Sequence, residues 1–280
     1  MRDIRITDED FQQFREYFYR RTGIHFDDGK RYFVDRRLAE RIKANGDTQF
    51  RRYFTFLRFQ ASGAEFQALT NLMTVNETYF FREASQLRCL VDSILPELLA
   101  RKRPGEPIRI WCVPSSSGEE PYSIAIHLSE NWPELARWDV EITASDIDTD
   151  ILAAAARGVY SRRSVQNVPA PWLAKYFDRG GDDGYALRDA IKGAIAFTQV
   201  NIADVQQTRS YRDFDVIFCR NLLIYFDDLS RRKAAEMFFD ALLPGGFICL
   251  GHSESMSRIT PIFRVRKFPD NIVYQRPEEA

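Results

Sequence analysis

Polar and acidic residues follow several apolar segments of this chain, at positions where an α/β protein binds its ligand. The apolar segment RIWCVP is followed by SSSGEE, residues 115–120. Asp146 ends the segment VEITASD, Asn201 follows AFTQV, and Arg220-Asn221 follows FDVIFC. Because the carboxyl ends of parallel strands share one edge of an open sheet, these residues are predicted to meet at a ligand site.

The chemistry of these residues favours a cationic ligand that contains a ribose. A phosphate usually binds a bare helix N-terminus or a lysine, whereas residues 115–120 include two glutamates. Asp146 is placed to accept hydrogen bonds from ribose hydroxyls, as in nicotinamide dinucleotide folds or in a site for S-adenosylmethionine (SAM). A nicotinamide site would need Gly-x-Gly-x-x-Gly, and residues 115–120 contain one glycine. Two structural explanations stay open: Ser117 with Glu120 has capping-box spacing, and Asp146 alone could cap the next helix.

The elements that must position these residues form an alternating pattern. From about residue 108, short apolar or β-branched segments alternate with helical ones, which predicts βαβ crossovers and a parallel sheet. The last two segments, FRVRKF and NIVYQR, are separated by Pro269-Asp270 and predict a closing hairpin. Residues 162–195 interrupt the alternation with a short helix and Gly/Asp-rich turns. This interruption indicates an inserted β-subdomain.

The first 75 residues have helical periodicity and predict an all-α domain. Thr7 and Asp10 have the spacing of a capping box, and Gly23 predicts the end of the first helix. Three further helices are predicted to begin near Lys30, near Thr48 and in AEFQALTNLMT.

The helical region carries a local excess of positive charge. Residues 1–58 contain 14 Lys and Arg against 10 Asp and Glu, although the net charge of the whole chain is −1. Arg36, Arg37 and Arg41 lie within this excess. Either they form a solvated helix face, or they dock an acidic partner, since clustered charge speeds encounter with its opposite.

Composition excludes several classes of function. A near-neutral chain gives no indication of nucleic-acid or anionic-membrane binding, and no apolar segment approaches the ~20 residues of a membrane span. The N-terminus MRDIRITDED does not resemble a signal peptide. The four cysteines are far apart without a CxxC pair, so we expect reduced thiols in a cytoplasmic protein, and no metal site. His25, His127 and His252 are also widely separated and are expected to be structural or on the surface.

The chain resembles the CheR family of chemotaxis receptor methyltransferases over nearly its whole length. Five motifs carry the resemblance in order: NETYFFRE, SSSGEEPYSIA, ASDIDTDIL with ARGVY, FDVIFCRNLLIYF, and LLPGGFICLGHSES. It implies an α/β, Rossmann-like class I SAM-dependent methyltransferase domain over residues 108–280, with a mostly parallel seven-stranded sheet and an inserted β-subdomain at about 178–198. An all-α domain that docks the receptor (1–75) and a linker with a helix that contributes to the cofactor site (76–107) are expected to precede it.

The resemblance also implies roles for individual residues. Cofactor contacts are expected from Asn76, Thr78, Arg82, Glu120 (with Glu119 as the rival), Asp146, Asn201, Ile202, Asn221 and Leu222. Arg82 and Tyr225 are expected near the transferred methyl group, and Arg36, Arg37 and Arg41 are expected to dock the substrate. The implied cofactor is SAM, with S-adenosylhomocysteine as product, and the implied partner is the cytoplasmic domain of a chemoreceptor. We expect a monomer that neither binds nucleic acid nor inserts into a membrane.

Three departures from the family pattern bear on these expectations. Val113, Pro114 and Ser115 replace the family's usual Ala or Gly and Cys or Ala before the acidic turn, and Pro114 removes a backbone N–H. Ser116 stands beside Ser117 where the family commonly has threonine. The segment RGGDDGYALRD, residues 179–189, is about three residues shorter than in members that grip a receptor's C-terminal peptide tether. We therefore expect a protein that does not depend on such a tether.

The expected reaction is methyl transfer to receptor glutamates, which form methyl esters in chemotactic adaptation. A glutamate carboxylate, with a pKa of about 4.3, is already ionised and needs no general base. Arg82 is expected to order the cofactor and attract the substrate carboxylate, and Tyr225 to orient the reacting groups. Nucleic-acid methylation is disfavoured because RNLLIYF lacks the Asp/Asn-Pro-Pro-aromatic turn. A catalytically weak SAM-binding adaptor of a signalling array stays open as the alternative.

Overall fold

The computed structural model describes residues 4–180, 184–269 and 271–278, which fold as a helical unit followed by an α/β unit. The helices are α1 Asp8–Thr22, α2 Arg31–Ala44, α3 Phe50–Phe59, α4 Ala64–Met73, α5 Ala84–Cys89, α6 Leu95–Leu99, α7 Glu119–Asn131, α8 Thr149–Arg157, α9 Ala170–Tyr176, α10 Asp189–Lys192, α11 Val205–Thr208 and α12 Asp228–Ala241. The strands are β1 Ile108–Cys112, β2 Val140–Asp146, β3 Val159–Tyr160, β4 Phe177–Arg179, β5 Tyr185–Leu187, β6 Ile195–Gln199, β7 Phe214–Cys219, β8 Leu242–Leu250, β9 Arg264–Phe268 and β10 Asn271–Gln275. Among the described residues, no helix has the length and apolar character needed to cross a bilayer.

The helical unit begins as its sequence predicts. The Thr7 hydroxyl accepts from the Asp10 amide and the Asp10 carboxylate accepts from the Thr7 amide, so the predicted capping box is present. Gly23 ends α1 in the left-handed conformation. The four helices enclose their own apolar core, to which α1 contributes Phe11, Phe14 and Phe18. The third helix begins two residues after the predicted Thr48.

The α/β unit contains a seven-stranded sheet in the order β6-β2-β1-β7-β8-β10-β9. Strands β6, β2, β1, β7 and β8 are parallel, and β10 runs antiparallel between β8 and β9, which forms the predicted closing hairpin. The chain moves from β1 to β2 on one side and later returns to β7 on the other. The edge beyond β1 is therefore the topological switch point, where open α/β sheets bind ligands.

The side chains of β1 alternate between the two faces of this sheet. Ile108, Ile110 and Cys112 pack into one apolar core, whereas Trp111 packs into the core on the opposite face. Burial on both faces is typical of a parallel central strand and explains why every residue of β1 except the half-buried Arg109 is apolar.

The inserted β-subdomain lies earlier in the chain than the expected residues 178–198. A separate three-stranded antiparallel sheet forms in the order β3-β5-β4 and spans residues 159–187. The expected range ran too far towards the C-terminus, because it overlapped strand β6. That strand pairs with β2 in the large parallel sheet, as predicted for the segment that precedes Asn201. Residues 181–183 of the expected Gly/Asp-rich turn lie outside the described residues.

The helical unit lies against the carboxyl edge of the large sheet. The Tyr19 hydroxyl donates to Asp227, and the His25 amide donates to the Tyr225 carbonyl at 2.9 Å. The Asn201 side chain donates to the Arg21 carbonyl at 2.6 Å. These bonds close one side of the space beyond the strand ends.

Candidate functional site

A cavity of about 730 Å³ lies between the strand ends and the helical unit. All ten residues predicted for catalysis or cofactor contact line it: Asn76, Thr78, Arg82, Glu120, Asp146, Asn201, Ile202, Asn221, Leu222 and Tyr225. The volume is within the range of about 300–1,000 Å³ for small-molecule and cofactor sites. The structure thus brings the predicted residues together, and their individual roles stay predictions.

The turn after β1 is shaped by two left-handed residues, Ser116 with φ 48° and Gly118 with φ 90°. A Cβ atom at Gly118 would lie 2.9 Å from the Tyr122 ring, so the close approach as well as the φ angle requires glycine there. Gly118 is the N-cap of α7, and no side chain caps this helix. The capping-box explanation for Ser117 and Glu120 is therefore wrong.

Asp146 connects this turn to the end of β2. One of its carboxylate oxygens accepts from the Ser116 amide at 2.9 Å, and the other accepts from the Asp148 amide at 3.0 Å. Burial raises the pKa of Asp146 to about 6, although these backbone donors act in the opposite direction. The possibility that Asp146 caps α8 is wrong, because Asp148 accepts from the Asp150 and Ile151 amides.

Glu120 belongs to a buried charge network that sequence reasoning did not predict. Arg220 donates to Glu120 at 2.6 Å and lies 3.1 Å from the Glu83 carboxylate, while His252 contacts the other oxygen of Glu83 at 2.8 Å. Burial raises the pKa of Glu120, and the attraction of Arg220 partly offsets this effect. The rival Glu119 accepts from the Ser117 hydroxyl and does not line the cavity. Geometry therefore favours Glu120 for ligand contact.

Arg82 stands between two residues in the left-handed conformation, Phe81 at φ 57° and Glu83 at φ 56°. Phe81 is buried and its amide donates to the Ser123 hydroxyl, while Glu83 is fixed by the network around Arg220. Strained residues of this kind persist where the surrounding structure holds them, and they concentrate at functional sites. The arrangement directs the half-buried Arg82 towards the cavity, where its guanidinium donates to the Glu77 carbonyl at 3.0 Å.

Tyr225 lies on a short 3-10 turn, Leu223–Tyr225, that follows β7. Glu254 secures the start of this turn by accepting from the amides of Asn221 at 2.8 Å and Leu223 at 2.7 Å. These bonds hold Asn221 in the left-handed conformation, with φ 59°. Burial raises the pKa of Tyr225, so its hydroxyl stays protonated at neutral pH and can donate a hydrogen bond.

The Asn76 side chain links the segment after α4 to the α/β unit. Its amide donates to the Asp148 carboxylate at 2.9 Å, and the same oxygen accepts from the Thr74 hydroxyl at 2.6 Å. Asn76 therefore has its carbonyl oxygen available at the cavity wall.

Asn201 differs from the role that the resemblance implies. Its side-chain amide donates to the Arg21 carbonyl, and its side-chain oxygen accepts from the Ala203 amide at 3.1 Å. The side chain thus joins the two units and shapes its own loop. Beside it, Ile202 and Leu222 are partly buried apolar residues of the cavity wall, suited to a flat apolar ring.

The cavity has a wall that sequence reasoning missed. Ile24, His25, Phe26, Lys30 and Phe33 line it from the α1–α2 connection and the first turn of α2. Composition gives no signal for these residues, because only the docking of the helical unit brings them to the strand ends. His25, one of the three histidines expected to be structural or on the surface, is exposed and belongs to this wall.

The three arginines expected to dock a partner differ in their availability. Arg41 forms a two-bond ion pair with the buried Glu65, which also accepts from Tyr53. Arg37 donates to the Leu72 carbonyl at 2.7 Å and lies over the Phe33 ring. These contacts stabilise the helical unit and leave Arg37 and Arg41 partly buried, whereas Arg36 is exposed. The docking role of the three arginines stays a prediction.

Cys89, Cys112, Cys219 and Cys249 are buried and free. Within residues 4–180, 184–269 and 271–278, no group of three or more His, Cys, Asp or Glu side chains is arranged to hold a metal ion.

Two buried hydroxyls provide a direct test of the fit to a nucleoside ligand. Ser115 Oγ and Ser116 Oγ lie in the cavity-lining turn, and neither has a hydrogen-bond partner within the described residues. Buried polar atoms are normally paired, so these hydroxyls fit a site completed by a polar ligand. With the Asp146 carboxylate and the apolar Ile202 and Leu222 nearby, the lining fits SAM.

The sheet order, the switch-point cavity and the acid at the end of β2 define a class I SAM-dependent methyltransferase. The family model for the CheR methyltransferase all-alpha domain matches residues 9–74, and that for its SAM-binding domain matches residues 76–272. The chain belongs to the CheR methyltransferase family.

Curated relatives cover nearly all of the chain. It is 56% identical over 280 residues to "Chemotaxis protein methyltransferase 2" of Vibrio cholerae, covering 100% of this chain and 97% of that protein. It is 37% identical to the protein of the same name from Pseudomonas aeruginosa, with 94% and 92% covered. It is 36% identical to "Chemotaxis protein methyltransferase" of Escherichia coli, with 94% and 90% covered.

Proposed function

We propose that this SAM-dependent methyltransferase methylates glutamate side chains on the cytoplasmic helices of chemoreceptors and forms glutamyl methyl esters. The names of its relatives support a role in chemotaxis. The observation that carries the choice of a carboxylate acceptor is that a guanidinium, Arg82, and a protonated phenol, Tyr225, line the same cavity.

The chemistry of this pair suits a carboxylate that arrives already ionised. When bound, the cofactor supplies a methyl group to a carboxylate oxygen, and its sulfur keeps the electron pair of the broken bond, which gives S-adenosylhomocysteine. Arg82 attracts and orients the carboxylate by charge-assisted hydrogen bonding, and the Tyr225 hydroxyl donates a further bond that fixes the approach. No residue has to remove a proton from the acceptor.

The cofactor contacts belong to the same proposal. Asp146 accepts from the ribose hydroxyls, and Glu120 contacts the positively charged part of the ligand through the carboxylate oxygen that does not bond Arg220. The amide oxygen of Asn76, together with Thr78, Ile202, Asn221 and Leu222, completes the lining, while Asn201 contributes through its backbone and loop. No residue of this set requires a metal ion.

The exposed basic residues of the helical unit support a docking role. Because contacts within the fold hold Arg37 and Arg41, and Arg52 pairs with Asp47, the exposed Arg36 and Arg58 are the arginines most available for docking. Receptor methylation regions are acidic helices, so this surface steers them and sets their register.

Independence from a receptor peptide tether is also proposed. The support is the shorter length of the segment 179–189, part of which, residues 181–183, lies outside the described residues. Calorimetric titration with a receptor C-terminal peptide is expected to give no binding at micromolar concentrations. Tight binding would overturn this part of the proposal.

Labelled methyl uptake by receptor cytoplasmic fragments tests the main proposal. The wild-type protein should form base-labile methyl esters, and Arg82→Ala should form almost none while still folding. The alternative, a catalytically weak SAM-binding adaptor of a signalling array, predicts cofactor binding by calorimetry without methyl transfer. Uptake by wild type and by Arg82→Ala at equal rates would refute the role of Arg82.

A further inference from the structure

A second cavity of about 330 Å³ lies behind the turn that carries Tyr225. We call it the arginine cavity, because Arg231, Arg232 and Arg258 line it together with Ser253 and Ser255. It adjoins the cofactor cavity, since Ile224, Asp228 and Arg231 line both.

The arginines of this cavity differ in what they bind within the protein. Arg231 donates to the Leu223 carbonyl at 2.9 Å and lies 3.2 Å from Asp228, so it supports the Tyr225 turn. Arg232 and Arg258 are exposed, and neither makes a side-chain hydrogen bond or ion pair with any other described residue. Two guanidinium groups are therefore available to a ligand.

The acidic side chains of the same cavity do not cancel this charge. Asp228 is the partner of Arg231. Glu254 is largely buried and accepts from the amides of Asn221, Leu223 and Gly251. Both carboxylates are thus occupied by groups of the protein, and the free charge of the cavity is positive.

We propose that the arginine cavity binds a second acidic side chain of the helical substrate, one or two turns away from the glutamate that enters the cofactor cavity. This inference rests on the proposed function. Neighbouring acidic residues on one helix face are about 5–11 Å apart, because one helical turn rises 5.4 Å. The two cavities lie side by side, because they share lining residues. Ile224, with 45% of its surface exposed, offers an apolar contact between them.

The consequence is a rule for substrate choice. A guanidinium pair prefers carboxylates over neutral amides. Glutamates flanked by acidic residues on the same helix face are therefore methylated at lower substrate concentrations than glutamates flanked by amides.

The experiment compares two substrates and three enzymes by initial rates at fixed low ionic strength. The substrates are a receptor cytoplasmic fragment and a charge-deleted fragment, in which the acidic residues one and two turns from the accepting glutamate are changed to Gln or Asn. The enzymes are wild type, the double variant Arg232→Gln with Arg258→Gln, and a control double variant, Arg157→Gln with Arg209→Gln. The control removes the same charge from exposed positions that line neither cavity.

Wild type should show a KM for the charge-deleted fragment roughly threefold to tenfold above that for the acidic fragment, the range expected for two exposed ion pairs. The Arg232/Arg258 variant should show the raised KM for both fragments, with kcat and SAM affinity unchanged, and the control variant should behave as wild type. Equal KM values for the two fragments with wild type would overturn the inference. It would also be overturned if the Arg232/Arg258 variant still had a higher KM for the charge-deleted fragment than for the acidic one, because the two changes would then act independently. The wild-type comparison needs no variant to fold. Failure of wild type to methylate either fragment would instead refute the proposed function.

Discussion

The affinity of the protein for SAM is expected to depend on the ionisation of Asp146. Burial raises the pKa of this carboxyl to about 6, and both of its oxygens already accept from backbone amides. A proton on either oxygen removes acceptor capacity that the ribose hydroxyls need. The ionised fraction falls from nearly all at pH 7.5 to about one tenth at pH 5, so the apparent Kd should rise about tenfold over this interval.

The stability of the unliganded protein should change with the opposite sign. A carboxyl whose pKa is higher in the folded than in the unfolded chain binds more protons when folded, so ionising it costs stability as the pH rises. For a change from 3.8 to about 6, Asp146 destabilises the fold by about 3 kcal/mol at neutral pH, and this cost disappears as the pH falls below about 4. Protonation of Asp146 therefore weakens SAM binding but does not itself destabilise the folded protein.

Calorimetric titration with SAM between pH 7.5 and 5.0 measures the effect, with circular dichroism at each pH to verify folding. Asp146→Asn is the matched variant: it should bind more weakly at pH 7.5 and lose most of the pH dependence. Burial also raises the pKa of Glu120, so Glu120→Gln serves as a second control that should keep the slope due to Asp146. A wild-type Kd that is constant across this range would refute the reasoning about Asp146.

Three further predictions concern single positions. Arg82→Ala should lower kcat at least a hundredfold, because it removes a charge-assisted contact to the substrate. The melting temperature should shift by less than about 2 °C, since Arg82 makes one hydrogen bond within the fold. A retained kcat would contradict the role of Arg82. Gly118→Ala should lower the free energy of unfolding, measured in urea, by at least about 2 kcal/mol more than Gly105→Ala does. The two glycines have nearly equal φ angles, but of these two only Gly118 has atoms within 4 Å of a Cβ position. Equal effects would contradict the steric argument. Arg41→Ala should destabilise the fold by about 3–5 kcal/mol, because it leaves Glu65 buried without its cation. Arg36→Ala should leave stability unchanged and raise the KM for receptor fragments. A larger loss of stability from Arg36→Ala than from Arg41→Ala would show that the arginines have been assigned wrongly.

The fold was predictable because its signals are local and consistent with one another. The Thr7 capping box, the Gly23 helix end and the apolar strands each follow from a few neighbouring residues. Local signals were insufficient where one pattern fitted two structures or where the bounds of a small sheet had to be placed. The three-stranded sheet spans residues 159–187 rather than the expected 178–198. Ser117 and Glu120 fitted either a capping box or a ligand-binding turn, and the capping box is absent because Gly118 takes the N-cap position.

The residues of the site were predictable to the extent that strand ends converge. Asp146 ends a parallel strand, and Asn201 and Asn221 each follow one, so the sheet alone brings them to one edge. Their hydrogen bonds were not predictable in the same way. Asn201 donates to Arg21, a residue 180 positions earlier, and only the packing of the helical unit decides that contact.

Arg220 shows why the electrostatics of the cavity could not be predicted from composition. Two carboxylates near the cavity, Glu83 and Glu120, face one buried guanidinium, so the network carries a net charge of about −1 rather than −2 when these groups are ionised. Removing Arg220 would leave both carboxylates buried without a cation, at a cost of about 3–5 kcal/mol. The same network fixes Glu83 and, through it, the backbone that presents Arg82. The residue that moderates the negative charge of the cofactor cavity therefore also positions the side chain proposed to attract the substrate.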